Sequence, residues 1–177
     1  ASSISLGSKI NYRISSMGAI DGLQYETALH KRWLLGVLGG WRPDYTNYSF
    51  NTKLLQAGGY LSYTTGKTNA NQESKLAFVE QHNGRQVDRR FAYFQHNNSL
   101  MKNLNLFGSF EIDLYQAING RITHQPSLTN LLLSLRYKLS KKVGLSLAYD
   151  NRKNIIYYES YKTFIDRLID DETRQGL

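Results

Sequence analysis

The sequence predicts an all-β protein: one domain over residues 1–177, built as an antiparallel up-and-down meander of about 8–10 strands. Three observations predict it. A short phrase recurs as Leu29-His30-Lys31-Arg32-Trp33-Leu34-Leu35, Leu100-Met101-Lys102-Asn103-Leu104-Asn105-Leu106 and Leu139-Ser140-Lys141-Lys142-Val143-Gly144-Leu145. Each copy sets a lysine-centred polar triplet between apolar residues, the pattern of a three-residue hairpin loop whose flanking residues face each other. Apolar and polar residues then alternate outward from every copy, the period of a strand. The composition agrees, with 2 prolines, 14 glycines and 13 tyrosines, a mix suited to strands and tight turns.

Along the chain the alternation is clearest over 3–14. There Ile4, Leu6, Ile10, Tyr12 and Ile14 share one parity and Ser3, Ser5, Lys9, Asn11 and Arg13 the other. A second strand covers 23–29 and a third 33–41, followed by a loop over 42–51 that Arg42-Pro43-Asp44 opens. A fourth covers 53–63. The polar stretch 64–74 reads as loop, 75–81 as a weaker strand, and His82-Asn83-Gly84 as a hairpin turn, because Asn-Gly readily adopts positive φ. The return strand spans 87–100 and a seventh 104–114. A loop over 117–129 precedes the last pair, 131–139 and 143–149. The tail differs: Phe164, Ile165, Leu168 and Ile169 fall at helical spacing, with Thr163 and Asp166 placed for a capping box. A short helix near 163–172 is expected there, and Arg174-Gln175-Gly176 reads as the start of another strand.

Composition excludes some classes. With no cysteine there is neither a disulfide framework nor a thiolate metal site. The net charge of +8 raises polyanions as partners, but the lysines and arginines are spread over turns and strand faces with no nucleic-acid motif. No apolar run approaches the roughly 18 residues of a membrane helix. Strands of about 9–11 residues can also cross a bilayer, and they hide from hydropathy because only alternate residues are apolar.

Parity assigns two faces. The residues flanking the tight turns define a face of Leu, Ile, Val, Tyr and Trp, with Tyr12, Trp33, Trp41, Tyr63, Tyr137 and Tyr149 near strand ends. The other face carries Lys9, Arg13, Glu26, Glu111, Asp113, Arg136 and Lys138. The turns at Lys31, Lys102 and Lys141 are separated by even numbers of strands, so all three fall on one edge. Longer loops lie mostly on the other.

On the hairpin phrase and its flanking alternation, residues 3–150 resemble the porin-like β-barrel proteins of Gram-negative outer membranes. The resemblance implies an outward apolar face in lipid and charged residues lining a lumen. It implies a non-enzymatic role in pore transport or membrane scaffolding, and localisation in the bacterial outer membrane. Such barrels usually finish on a strand with a terminal aromatic and have an even strand count, whereas this chain stops at Leu177 after a helix-like stretch; a segment of a larger barrel is the expectation, with an eight-stranded barrel with odd ends as the alternative. The lipid bilayer and lipopolysaccharide are the expected partners. No nucleic acid, metal or cofactor is expected. A soluble β-barrel with the apolar face turned inward around an apolar ligand shows the same alternation and stays open.

Chemical motifs are sparse. Gln95-His96-Asn97-Asn98-Ser99 is similar to the His-x-Ser motif of outer-membrane phospholipases and lipid A deacylases, whose imidazole takes the hydroxyl proton. The spacing of three puts His96 and Ser99 on opposite strand faces unless a bulge intervenes. This leaves a barrel-embedded acyl hydrolase as the second hypothesis. His96 and Asn98 have the parity of the apolar face, so a local register change is expected there. His30, His82, His96 and His124 lack ligand spacing. Asp88-Arg89-Arg90 reads as a charged strand end able to meet an anionic head group. Glu111 and Asp113 read as lumen residues balancing Arg136 and Lys138 rather than as a glycosidase pair. Gly36, Gly39 and Gly40 read as sites of bending and close packing.

Overall fold

The computed structural model describes residues 2–44, 49–67, 70–99, 103–118, 121–153 and 173–176. These form one all-β, antiparallel sheet. Its strands are β1 Ser2–Ile10, β2 Ala19–His30, β3 Trp33–Trp41, β4 Leu55–Lys67, β5 Ala70–Asn83, β6 Gln86–Asn98, β7 Leu104–Ile118, β8 Arg121–Thr123, β9 Ser127–Lys138, β10 Gly144–Lys153 and β11 Thr173–Gly176. Nine are long, and they follow one another up and down in chain order; β8 and β11 are short, β8 pairing with β7 and β11 with β10. Among the described residues the sheet does not close: β1 pairs with β2 alone.

The two faces have opposite character. Across the sheet, Leu35, Leu61, Leu76, Phe94, Phe110 and Leu131 stand in register. Beside them run Tyr25, Val37, Gly59, Phe78, Ala92, Ile112 and Leu128. This face is uncovered, with Leu6 82% exposed and Leu147 65%. The other face is covered over β2 to β7. Leu38, Tyr60, Ala77, Val79, Phe91 and Tyr93 are buried there together with Gln24, Gln56, Lys75, Gln81, Arg89, Glu111 and Asp113. A flat single sheet leaves both faces to solvent. Complete burial of Val79, Phe91 and Glu111 therefore requires the sheet to curl over this face.

The connection between β1 and β2 fills the hollow. Strand pairing stops at Ile10, four residues short of the expected end at 14. Asn11 Oδ1 accepts the backbone N–H groups of Arg13 (2.8 Å) and Ile14 (3.1 Å), which turns the chain inward. A 3₁₀ turn, Ser15–Met17, follows, and Gly18 at φ 74° returns the chain to β2. Ile14 and Met17 thereby pack with Ile20 against Leu38, Tyr60, Val79, Phe91 and Tyr93. The parity that assigned Ile14 to the apolar outer face is thus overturned by a side-chain turn at Asn11, the residue directly after the strand end.

Two expected loops are strand. Over 64–74 β4 runs on to Lys67 and β5 starts at Ala70, with Thr64↔Glu73 and Lys67↔Ala70 in register. Alternation vanishes there because both faces are polar. Over 117–129 β7 continues to Ile118, β8 pairs back on it, and β9 starts at Ser127. The first hairpin is also tighter than expected. A two-residue turn, Lys31-Arg32, sets His30 opposite Trp33, and a bulge between Ala28 and His30 displaces Leu29. In the third, the Ser140 hydroxyl accepts N–H bonds from Lys142 and Val143. In the second, Asn103 sits at φ 66°; Leu100 and Lys102 lie outside the described residues. So does the helix expected at 163–172.

Candidate functional site

The covered face holds a chain of charges that neutralise one another. Its hub is the buried Arg89 of β6, placed inward by the same alternation that directs Phe91 and Tyr93. Arg89 Nε donates to both carboxylate oxygens of Asp113 at 3.0 Å, and its Nη2 donates to Asp113 at 2.6 Å and to Glu111. The Thr129 hydroxyl donates to this cluster, 3.2 Å from Glu111 Oε1 and 3.3 Å from Asp113 Oδ1. Thr129 reaches it because the β7–β9 register shifts between Glu111 and Ile112. The guanidinium also stands over the Phe91 ring at 4.1 Å. The partner of Glu111 and Asp113 is thus Arg89, not Arg136 or Lys138, correcting the expected charge balance.

A second network joins the turn after β1 to the sheet. Arg13 lies 3.5 Å from Glu26 and 3.2 Å from Glu73. Glu26 accepts the Tyr60 hydroxyl and Gln24 Nε2, the latter at 3.1 Å. Asn11 Nδ2 donates to Gln24 at 3.2 Å, and Lys75 pairs with Glu73 at 3.2 Å. Tyr60 crosses β3 at Gly36, where an added Cβ would meet the ring at 2.1 Å. Gly40 faces Gly22 just as closely, while Gly39 meets nothing within 4 Å. Close packing explains Gly36 and Gly40 but not Gly39.

The remaining candidates are scattered. Lys9 stands opposite Ile20 on the charged face. Arg136 and Lys138 share the corresponding face of β9, exposed and away from Arg89. There an open cavity of about 440 Å³ is lined by Asn105, Phe107, Leu132, Ser134, Arg136 and Ala148. Asp88, Arg89 and Arg90 do not form one patch: Asp88 pairs with Arg42, and Arg90 Nε donates to Glu80 at 2.6 Å on the outer face. Comparison with protein-family models, with curated proteins and with solved structures returned no match.

His96 and Ser99 are not brought together. His96 Nδ1 shares a 2.9 Å hydrogen bond with Ser74, its cross-strand neighbour, and the Ser99 hydroxyl donates to Asn71. The register expected to change at His96 is regular there; the shifts fall at Gln81/His82 and Arg90/Phe91. His96 keeps its outward parity because Ser74 supplies the missing polar contact. The other histidines have separate surroundings. His82 Nε2 lies 2.7 Å from Glu80, His124 meets the Tyr115 ring edge-on at 5.5 Å, and His30 is exposed beside the first turn. Lys31 and Lys141 both sit at turns on the edge that also carries the β4–β5 and β6–β7 connections.

Proposed function

We propose that this chain is a lipid-embedded β-barrel, or a segment of one, of a Gram-negative outer membrane, with a non-enzymatic role in passage or scaffolding. One observation carries the reading: the uncovered face is the apolar one, and the covered face holds Arg89, Glu111 and Asp113. Water-soluble sheets arrange their faces the other way. Apolar surface on this scale marks a contact with lipid or protein. Strand length supports the bilayer, since β2 to β7 run for 9–15 residues and a tilted crossing takes about 9–11. Trp33 packs on Tyr63 at 4.8 Å near the short-turn edge, the placement of an interfacial aromatic girdle. A soluble barrel around an apolar ligand needs the opposite assignment of faces. Fractionation of cells expressing the protein tests the proposal: it should sediment with outer membranes and need detergent for release. Recovery as a soluble monomer would overturn it.

The acyl-hydrolase alternative moves from Ser99 to Ser74, whose hydroxyl touches the His96 imidazole. Ester hydrolysis by purified protein, lost in both Ser74→Ala and His96→Ala, would support it; intact ester and phospholipid substrates after long incubation would remove it.

A further inference from the structure

Every inward charge from β2 to β7 has a partner, and Arg136 has none among the described residues. The acids that balance Arg13, Lys75 and Arg89 are Glu26, Glu73, Glu111 and Asp113. By contrast, the sequence carries no carboxylate over 95–110 or 127–149, while Arg136, Lys138, Lys141 and Lys142 fall within the second stretch. The nearest carboxylate on this face, Asp150 of β10, stands two rows from Arg136 and is already paired with Arg152 at 2.9 Å.

The cavity on this surface sets Asn105, Ser134 and Arg136 against Phe107, Leu132 and Ala148. Asn105, Arg136 and Ser146 stand in one cross-strand row, nearest the short-turn edge. Phe107, Ser134 and Ala148 form the next row, and Ser109, Leu132 and Asp150 the one beyond. The cavity of about 440 Å³ over these rows is within the range of roughly 300–1,000 Å³ that holds small ligands. An apolar wall with one cation and two amide or hydroxyl groups at its mouth selects for a ligand with a charged head and a hydrocarbon body. Lysines at the adjoining turn raise the local concentration of anions.

We propose that the inner face of β7, β9 and β10 binds a single-chain anionic amphiphile, a long-chain carboxylate. Its head meets Arg136, Asn105 and Ser134, and its chain lies on Phe107, Leu132 and Ala148. The proposal rests on the membrane-barrel reading for its setting, but the parity of the strand separates the two in one experiment. The full chain is reconstituted in phosphatidylcholine nanodiscs with a diazirine-bearing long-chain carboxylate, and photolabelled residues are mapped by mass spectrometry. Labelling at Phe107, Leu132 and Ala148 is expected, together with competition by oleate but not by its methyl ester or by inorganic phosphate. Arg136→Gln should reduce that labelling by about tenfold or more, the loss of a charge-assisted hydrogen bond, and Arg136→Lys should retain most of it. Ala148→Trp, which fills the groove without touching the charge, should also block it. Labelling of outward Leu133 and Leu145 alone, equal competition by the ester, or indifference to Arg136→Gln would overturn the proposal while leaving the barrel reading intact. Failure of the chain to enter nanodiscs defeats the barrel reading instead. Labelling is then run in detergent-free buffer, where the same three residues must still be labelled for the site to stand.

Discussion

Arg89 shows how a charged interior is held together. Two buried carboxylates converge on one guanidinium, and the Thr129 hydroxyl donates to both of them, so removing Arg89 leaves Glu111 and Asp113 without a counter-ion. Breaking a buried ion pair in this way costs about 3–5 kcal/mol. Arg89→Met is expected to lower unfolding free energy in lipid by that amount, measured by urea titration. Arg89→Met combined with Glu111→Gln and Asp113→Asn should recover much of it. A loss below about 1 kcal/mol for the single substitution would show that the cluster is hydrated. Glycines make a second comparison. Gly36→Ala drives a methyl into the Tyr60 ring and displaces that hydroxyl from Glu26, an overpacking cost of about 1–3 kcal/mol. Gly39→Ala, three residues away in open space, should change stability little in the same titration.

At the level of elements, the turn after β1 fills the hollow of the covered face. Ile14 and Met17 give it an apolar underside, and Arg13 ties it to β2 and β5. Replacing 12–17 with glycine and serine should open the space over β3 to β6. Liposomes carrying that variant are expected to swell faster in small sugars than those carrying the unaltered chain; equal rates would mean that the segment blocks nothing. The turn escaped the sequence because Ile10, Tyr12 and Ile14 continue the strand rhythm, and only Asn11 and Gly18 mark it. The hairpins were more legible, since apolar parity and lysine-centred turns repeat together. The polar ends of β4 and β5 were not, because alternation carries no signal where both faces are wet. Arg89 illustrates a different gap. Its inward parity is readable within β6, but its partners depend on the β6–β7 register, which a bulge alters.

The edge assignment follows from strand order. Lys31 and Lys141 lie on the short-turn edge, and Arg85, in the two-residue turn between β5 and β6, lies on the other. Cysteines at Lys31 and Lys141 should react alike with an impermeant maleimide in intact cells, and a cysteine at Arg85 should behave oppositely. A split between the two lysine positions would contradict the strand order. Lys102 falls outside the described residues.

For the molecule as a whole, the free edges set a physical requirement. Unpaired backbone N–H and C=O groups in hydrocarbon cost several kcal/mol each, yet among the described residues β1 pairs on one side alone. The path from β1 through β7 to β9, β10 and β11 is antiparallel throughout, so its first and last strands run in opposite directions. That parity permits antiparallel closure. Hydrogen exchange in lipid should therefore protect the amides of 3–9 as well as those of β5, whereas rapid exchange at every second amide of β1 would show an edge left open.

The partition of faces is the feature on which everything else depends, and adjacent residues of one strand can test it. Single cysteines at Leu133 and Leu145, on the apolar face, and at Leu132 and Ser146, on the charged face, are labelled with a fluorophore in the otherwise cysteine-free chain. The labelled proteins are then reconstituted in vesicles containing a lipid-phase quencher. Strong quenching at Leu133 and Leu145 with little at Leu132 and Ser146 is the predicted result; equal quenching at all four, or the reverse pattern, would contradict it.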